Sequence, residues 1–255
     1  MTGVGIWLLG IGIADLVAGM SGEPKGGRRT LAAIVVAFLV PLGLTLALTA
    51  STGTAALLPV ITGASFAGWI ALRREPRGSA GTRAMLALLY LVAVFVVVSI
   101  VGTEPISSFE TAGAGARALS RLPFPRIAHT PIEQVVLVAG VVVALFATSN
   151  AIVRLVLTAA DTEFSSAEQR LRGGRIIGPI ERVLIFGLGL AGEPTAAALV
   201  IGAKGLLRYP ELSGLRADAA AVGSTVRPID VVTEYLLIGS LTSWGLALLP
   251  LIVVP

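Results

Sequence analysis

The sequence predicts an all-α fold: a polytopic transmembrane helix bundle of about eight helices, or six if helices six and seven form a re-entrant hairpin. Three observations carry that expectation. Of the 255 residues, 55% are hydrophobic, and the mean hydropathy is +0.89. Only 13% are charged, against about 25% in soluble domains. Apolar runs of spanning length recur from one end to the other, and no polar stretch between them is long enough for a separate soluble core. One membrane domain over 1–255 is expected, with five spans in 1–160 and a helical hairpin plus a last span in 161–255.

Composition also excludes chemistry. The chain has no cysteine, so disulfides, thiolate metal sites and cysteine nucleophiles are out. The single histidine, His129, rules out a histidine-based metal cluster, and no cofactor or metal is expected. The net charge of +4 comes from loop arginines that set topology. It is not a nucleic-acid signal.

The first span, 4–20, has no basic residue ahead of it, and Asp15 interrupts its apolar run. It therefore reads as a retained helix rather than a signal peptide. Gly10, Ala14 and Ala18 repeat every four residues along it. Such a stripe lets another helix approach closely, either inside the chain or as a homo-oligomer face. Spans 31–50 and 55–72 contain Pro41 and Pro59, which predicts a kink in each. Spans 85–103 and 134–155 follow. Between them 104–133 reads as an outer loop carrying Pro105, Pro123, Pro125, Pro131 and a solvated His129, with a short surface helix at 110–121.

Past the fifth span, Ser165-Ser166-Ala167-Glu168 fits a capping box. A short helix should start there and stop at Gly173-Gly174. Runs 176–190 and 195–207 are short for full crossings and fold back on each other at Gly192-Glu193-Pro194. They are tilted, broken, or joined as a re-entrant pair, which needs protein around the exposed backbone. The last span is 231–254.

Orientation follows from the basic residues. Connections after spans one, three, five and seven hold 14 of the 19 lysines and arginines, and the opposite side holds only Arg117, Arg121 and Arg126. The positive-inside rule places the chain in the inner (plasma) membrane with both termini outside.

The candidate site is a layer of ionisable groups inside the apolar runs: Asp15, Arg154, Glu181, Arg182, Lys204, Arg208 and Glu234. Counted from the expected inner ends of their spans, they come out at nearly one depth, and Asn150 lies close to it. Charges placed so deep face a bundle interior or a wet cavity, and they pair. Glu181 is the natural partner of Lys204 across the hairpin, and Glu234 of Arg208 or Arg182. Three negative groups stand against four positive ones. That cationic excess suits an anionic lipid head group or a small ionised solute such as phosphate. The Gly173-Gly174-Arg175 turn adds exposed backbone N–H groups at a helix start.

The order Gly174, Arg175, Ile177, Gly178, Glu181, Arg182, then Ala203, Lys204, Arg208, then Glu234, Tyr235, Leu237, Ile238, Gly239, Ser243 resembles a known pattern. It is similar to the C-terminal region of a family of uncharacterised bacterial multi-pass membrane proteins, a domain of unknown function carrying GRxIGxxER, AKxxxR and EYxLIGxxxS. Members often open with a helix bearing a histidine and an aspartate; here only Asp15 is present. The resemblance implies a membrane-embedded helical protein and a site on these residues, and it implies no activity.

Three functions fit. The first is binding or transport of a small ionised solute or lipid head group through a cytoplasm-facing site, a proton relay by Glu181 and Glu234 included. The second is a structural or assembly component whose charges only join helices. The third is a lipid-modifying enzyme, which has no hydrolase or metal motif behind it.

Overall fold

The structure, a computed structural model, describes residues 1–19, 27–48, 57–74, 79–101, 130–160, 174–206 and 228–254. All regular structure among the described residues is helical: α1 (Thr2–Ala18), α2 (Gly27–Leu48), α3 (Leu58–Arg74), α4 (Ala80–Val101), α5 (Ile132–Phe146), α6 (Thr148–Ala159), α7 (Gly174–Leu190), α8 (Pro194–Leu206) and α9 (Pro228–Leu248), closed by a 3-10 turn at Leu249–Ile252. Each expected span therefore falls on one helix, except 134–155, which is divided between α5 and α6. The expected surface helix at 110–121, His129 and the capping box at Ser165 lie outside the described residues.

The bundle is built around α1, which meets α2, α3, α4, α5 and α6. Its small residues let five neighbours come close. A Cβ on Gly5 would sit 2.8 Å from the Leu137 backbone of α5, and one on Gly10 2.7 Å from the Pro41 and Thr62 side chains. Ala14 and Ala18 are likewise buried within the chain. The small-residue stripe is thus used inside the protein, and a homo-oligomer face on Gly10, Ala14 and Ala18 is already covered. Gly19, at φ 106°, ends the helix by donating its N–H to the Asp15 and Leu16 carbonyls.

Polar contacts hold α1 and α3 parallel and in step. Trp7 Nε1 donates to Ser65 Oγ at 3.1 Å and Arg73 Nη1 to Asp15 Oδ1 at 3.2 Å, both across 58 positions. Ser65 Oγ in turn donates to the Thr62 carbonyl at 2.9 Å, while the Ser65 carbonyl accepts from Tyr90 of α4 at 3.1 Å. The Trp7 indole, the Ser65 hydroxyl and one Asp15 carboxylate oxygen are thereby given partners, which an apolar surround demands.

Two expectations about breaks are corrected. Pro41 does lie inside α2, but Pro59 is the second residue of α3. At that position proline costs no helical hydrogen bond, and it starts the helix instead of kinking it. The expected single span 134–155 is broken at Ala147, with α6 bent 48° away from α5. Thr148, Ser149 and Asn150 follow the break, and Ser149 Oγ donates back to the Leu145 carbonyl. Such hydroxyls compete with the backbone ladder and bend helices.

Length bears on the count of crossings. By length and composition α2 and Ala80–Ile100 of α4 can each cross a bilayer alone, and α5 with α6 makes a third if the bent pair is one span. The apolar stretches Thr2–Ala18, Pro194–Leu206 and Leu236–Ile252 are shorter. Among the described residues two helices, or three with the bent pair, meet the criterion, so the all-helical class holds and the expected count of about eight crossings is not confirmed.

Candidate functional site

The α7–α8 hairpin places the first ion pair. Gly192, at φ 78°, closes α7: its N–H donates to the Gly189 carbonyl at 3.1 Å and that of Glu193 to Leu188 at 2.9 Å. This is a Schellman end, and Pro194 then opens α8 from the first position, where its missing N–H is harmless. Glu181 lies 11 residues before Gly192 (192 − 181) and Lys204 lies 11 after Glu193 (204 − 193). An antiparallel hairpin with so short a turn brings such positions level. Lys204 Nζ meets Glu181 Oε2 at 2.6 Å, as the sequence led us to expect. Trp244 of α9 completes the cluster: its Nε1 donates to Glu181 Oε1 at 3.1 Å, and the ammonium lies 6.0 Å from its ring centroid.

The second pair joins α1 to α3. The Asp15 and Arg73 side chains are only 6% and 7% exposed, and the Arg73 guanidinium lies 5.0 Å over the Trp69 ring. The Thr148 hydroxyl and the Trp69 indole N–H also face the Asp15 carboxylate, although neither reaches full hydrogen-bond geometry with it. Arg154 is near enough to repel Arg73. Next door, Arg74 donates to the Thr30 hydroxyl of α2.

Helix α6 connects the two pairs. Thr148 faces Asp15, and Asn150 Oδ1 accepts from Arg182 Nη2. The two α6 residues are separated by about 3 Å of helical rise. Asp15 and Arg182 are therefore both tied to the first turn of α6, which follows the break at Ala147. Glu181 and Arg182 are adjacent, so their side chains point about 100° apart. One faces α8 and α9, the other α6.

The expected layer is assembled in part. Asp15, Glu181, Arg182 and Lys204 belong to it, and Arg154 lies beside its Asp15–Arg73 end. Glu234 does not: it is exposed. Nine positions separate it from buried Ser243, about two and a half turns, so the two occupy opposite faces of α9. Arg208 and the side chain of Arg175 lie outside the described residues. Arg73, Trp69, Thr148 and Trp244 belong to the cluster and were missed. For Arg73 the only signal was that Arg73-Arg74 ends an apolar run, which reads equally well as a cytoplasmic anchor. The three others carry no charge to betray them.

Among the described residues no group of His, Cys, Asp and Glu could hold a metal ion. Compared with family models, curated proteins and solved structures, the chain matches none.

Proposed function

We propose that the chain is a polytopic inner-membrane protein that binds or transports a small ionised solute or lipid head group through a polar site facing the cytoplasm. The membrane reading is supported by the outward faces of α2 and α4. Leu31, Val35, Leu39 and Leu46 are exposed along one, and Met85, Leu89, Val92, Val96 and Ile100 along the other. Continuous apolar faces of this kind call for lipid or a partner. The excess of basic residues in alternate connections puts both termini outside and the ionised layer near the cytoplasmic surface.

The observation that carries the functional reading is Arg182. It is 2% exposed, its hydrogen-bond partner is the neutral Asn150 amide, and the carboxylate beside it already holds Lys204. Among the described residues the carboxylate nearest to this buried guanidinium is shared with Lys204, an arrangement that is expensive in an apolar interior, and a bound negative group relieves that cost.

The test uses a Trp7→Phe/Trp69→Phe background, which leaves Trp244 as the single indole, beside Glu181 and Lys204. Phosphate, sulfate, carboxylate and amine solutes and anionic lipid head groups are titrated against its emission. At least one class should shift it in the wild-type site and not in Glu181→Gln/Lys204→Met. Silence across the whole panel would sink the reading.

The second reading, charges that only lock helices together, is favoured by the one-to-one pairing of Asp15 with Arg73 and of Glu181 with Lys204. It predicts that the double substitution folds, keeps its stability and loses no ligand response, because there was none to lose.

A further inference from the structure

We infer that the first turn of α6 is a two-position coupling element. It links the Asp15–Arg73 pair to the Glu181–Lys204 pair, so that a change at either is felt at the other. The coupling goes beyond solute binding and belongs equally to a protein whose charges only join helices.

Buried polar atoms are bonded almost everywhere in folded proteins, so a cluster of exceptions needs an explanation. Among the described residues five of them gather at one place. Asp15 Oδ2, Trp69 Nε1, Thr148 Oγ1, Asn150 Nδ2 and Arg182 Nε are each buried without a hydrogen-bond partner. Thr148 and Asn150 stand in the first turn of α6. Thr148 and Trp69 face the Asp15 carboxylate, and Arg182 donates to Asn150 Oδ1. The five therefore surround one turn, with donors and an acceptor among them. Buried groups left short of their bonds are costly, and a small displacement that lets Thr148 Oγ1 reach Asp15 Oδ2 removes part of that cost.

The turn also has a pivot. Ala147 has φ −106° and ψ −70°, against about −63° and −42° in a regular helix. There α6 leaves α5 at 48°, and the Asn150 N–H reaches back three residues to the Ala147 carbonyl, at 3.2 Å. Such 3-10 spacing inside a helical run marks a hinge. Rotation about it moves Thr148 and Asn150 together, since they share one turn.

Two opposed forces define two positions. Approach of α6 to α1 lets Thr148 close on Asp15. The same approach brings Arg154, further along α6, towards Arg73, which it already repels. Which position wins depends on the charge of the Asp15–Arg73 pair. Asn150 carries the outcome to Arg182, and Arg182 is covalently next to Glu181. Packed helices shift between discrete arrangements rather than deform evenly, so the displacement reaches Trp244, which bonds Glu181.

The chain has three tryptophans, and each reports on a different place. Trp69 lies under the Arg73 guanidinium and Trp244 bonds Glu181. Trp7 bonds Ser65, about two turns of α1 away from Asp15. The full chain in detergent, labelled with 5-fluorotryptophan, gives one fluorine resonance for each. Glu181→Gln/Lys204→Met, which leaves no charge unpaired, should move Trp244 directly and Trp69 through α6, with Trp7 unmoved. Asp15→Asn/Arg73→Gln should move Trp244 in return. Thr148→Val removes the hydroxyl and keeps the shape of the side chain. In that background each direct shift should remain and each shift at the far pair should vanish.

A far tryptophan that stays in place in either neutral pair overturns the inference, since coupling is reciprocal. So does a far shift that survives Thr148→Val, because it then travels by another route. If Glu181→Gln/Lys204→Met moves Trp7 as well, the whole bundle has loosened, and the reverse pair decides alone. No solute is added, so silence of the solute panel leaves the coupling standing, and loss of the coupling leaves the solute reading standing.

Discussion

Lys204 and Glu181 share one salt bridge but are not equivalent in it. The lysine side chain is 18% exposed and the glutamate 8%. A long ammonium stem can carry its charge towards water when its partner goes, while a short carboxylate cannot. Lys204→Met should therefore cost about 3 kcal/mol, since it leaves a buried charge without its cation. Glu181→Gln should cost about 1 kcal/mol, the scale of one lost hydrogen-bonded partner. The double variant should return to within about 1 kcal/mol of wild type, because a neutral pair of similar volume leaves no buried charge unpaired and the amide oxygen that Glu181→Gln introduces can still accept from Trp244. Unfolding in mixed micelles measures all three, and additive losses would rule out a coupled pair. This contact was legible in the sequence because turn and pair are symmetric about Gly192-Glu193. The Asp15–Arg73 contact was not, because 58 positions separate the two and neither helix names its neighbour.

At the scale of elements, two glycines of the hairpin make opposite predictions from the same substitution. A Cβ at either Gly192 or Gly202 meets nothing within 4 Å, so only the backbone distinguishes them. Gly192 has φ 78°, a conformation that disfavours any side chain. Alanine there should destabilise the protein by about 1 kcal/mol. Gly202 lies inside α8, where alanine should stabilise by roughly 0.5–1 kcal/mol. Gly5→Ala tests packing instead. Its Cβ would stand 2.8 Å from the α5 backbone, and forcing α1 and α5 apart should cost about 1–3 kcal/mol. Thermal unfolding of the three single variants reads these signs directly. Helix existence was legible because each apolar run is bounded by glycine, proline or charge. The break at Ala147 was not, since Thr148-Ser149-Asn150 is polar but contains no residue that forbids a helix. Glu234 was misplaced for a related reason: depth can be counted along a sequence, whereas the face a residue occupies depends on which neighbours its helix finds.

At the scale of the whole molecule the open question is what covers the outward faces of α2 and α4, and Val92 decides it. This residue lies near the middle of α4 and is 60% exposed. In water, an exposed valine on a helix tolerates arginine within about 0.5 kcal/mol, as surface substitutions do. At the centre of a bilayer the same change costs at least about 2.5 kcal/mol, because the guanidinium must be desolvated or must drag water and head groups inward. Met85 is 54% exposed but lies near the start of the same helix, where an arginine side chain would reach the interface of a bilayer. The cost should therefore fall steeply from Val92→Arg to Met85→Arg if lipid surrounds α4. It should be small and equal at both positions if water does. Membrane yield and unfolding of the two variants, prepared side by side, give that gradient. A flat profile would remove the bilayer from the picture, and with it the low-dielectric surround that makes the buried charge of Arg182 a demand for a counter-ion.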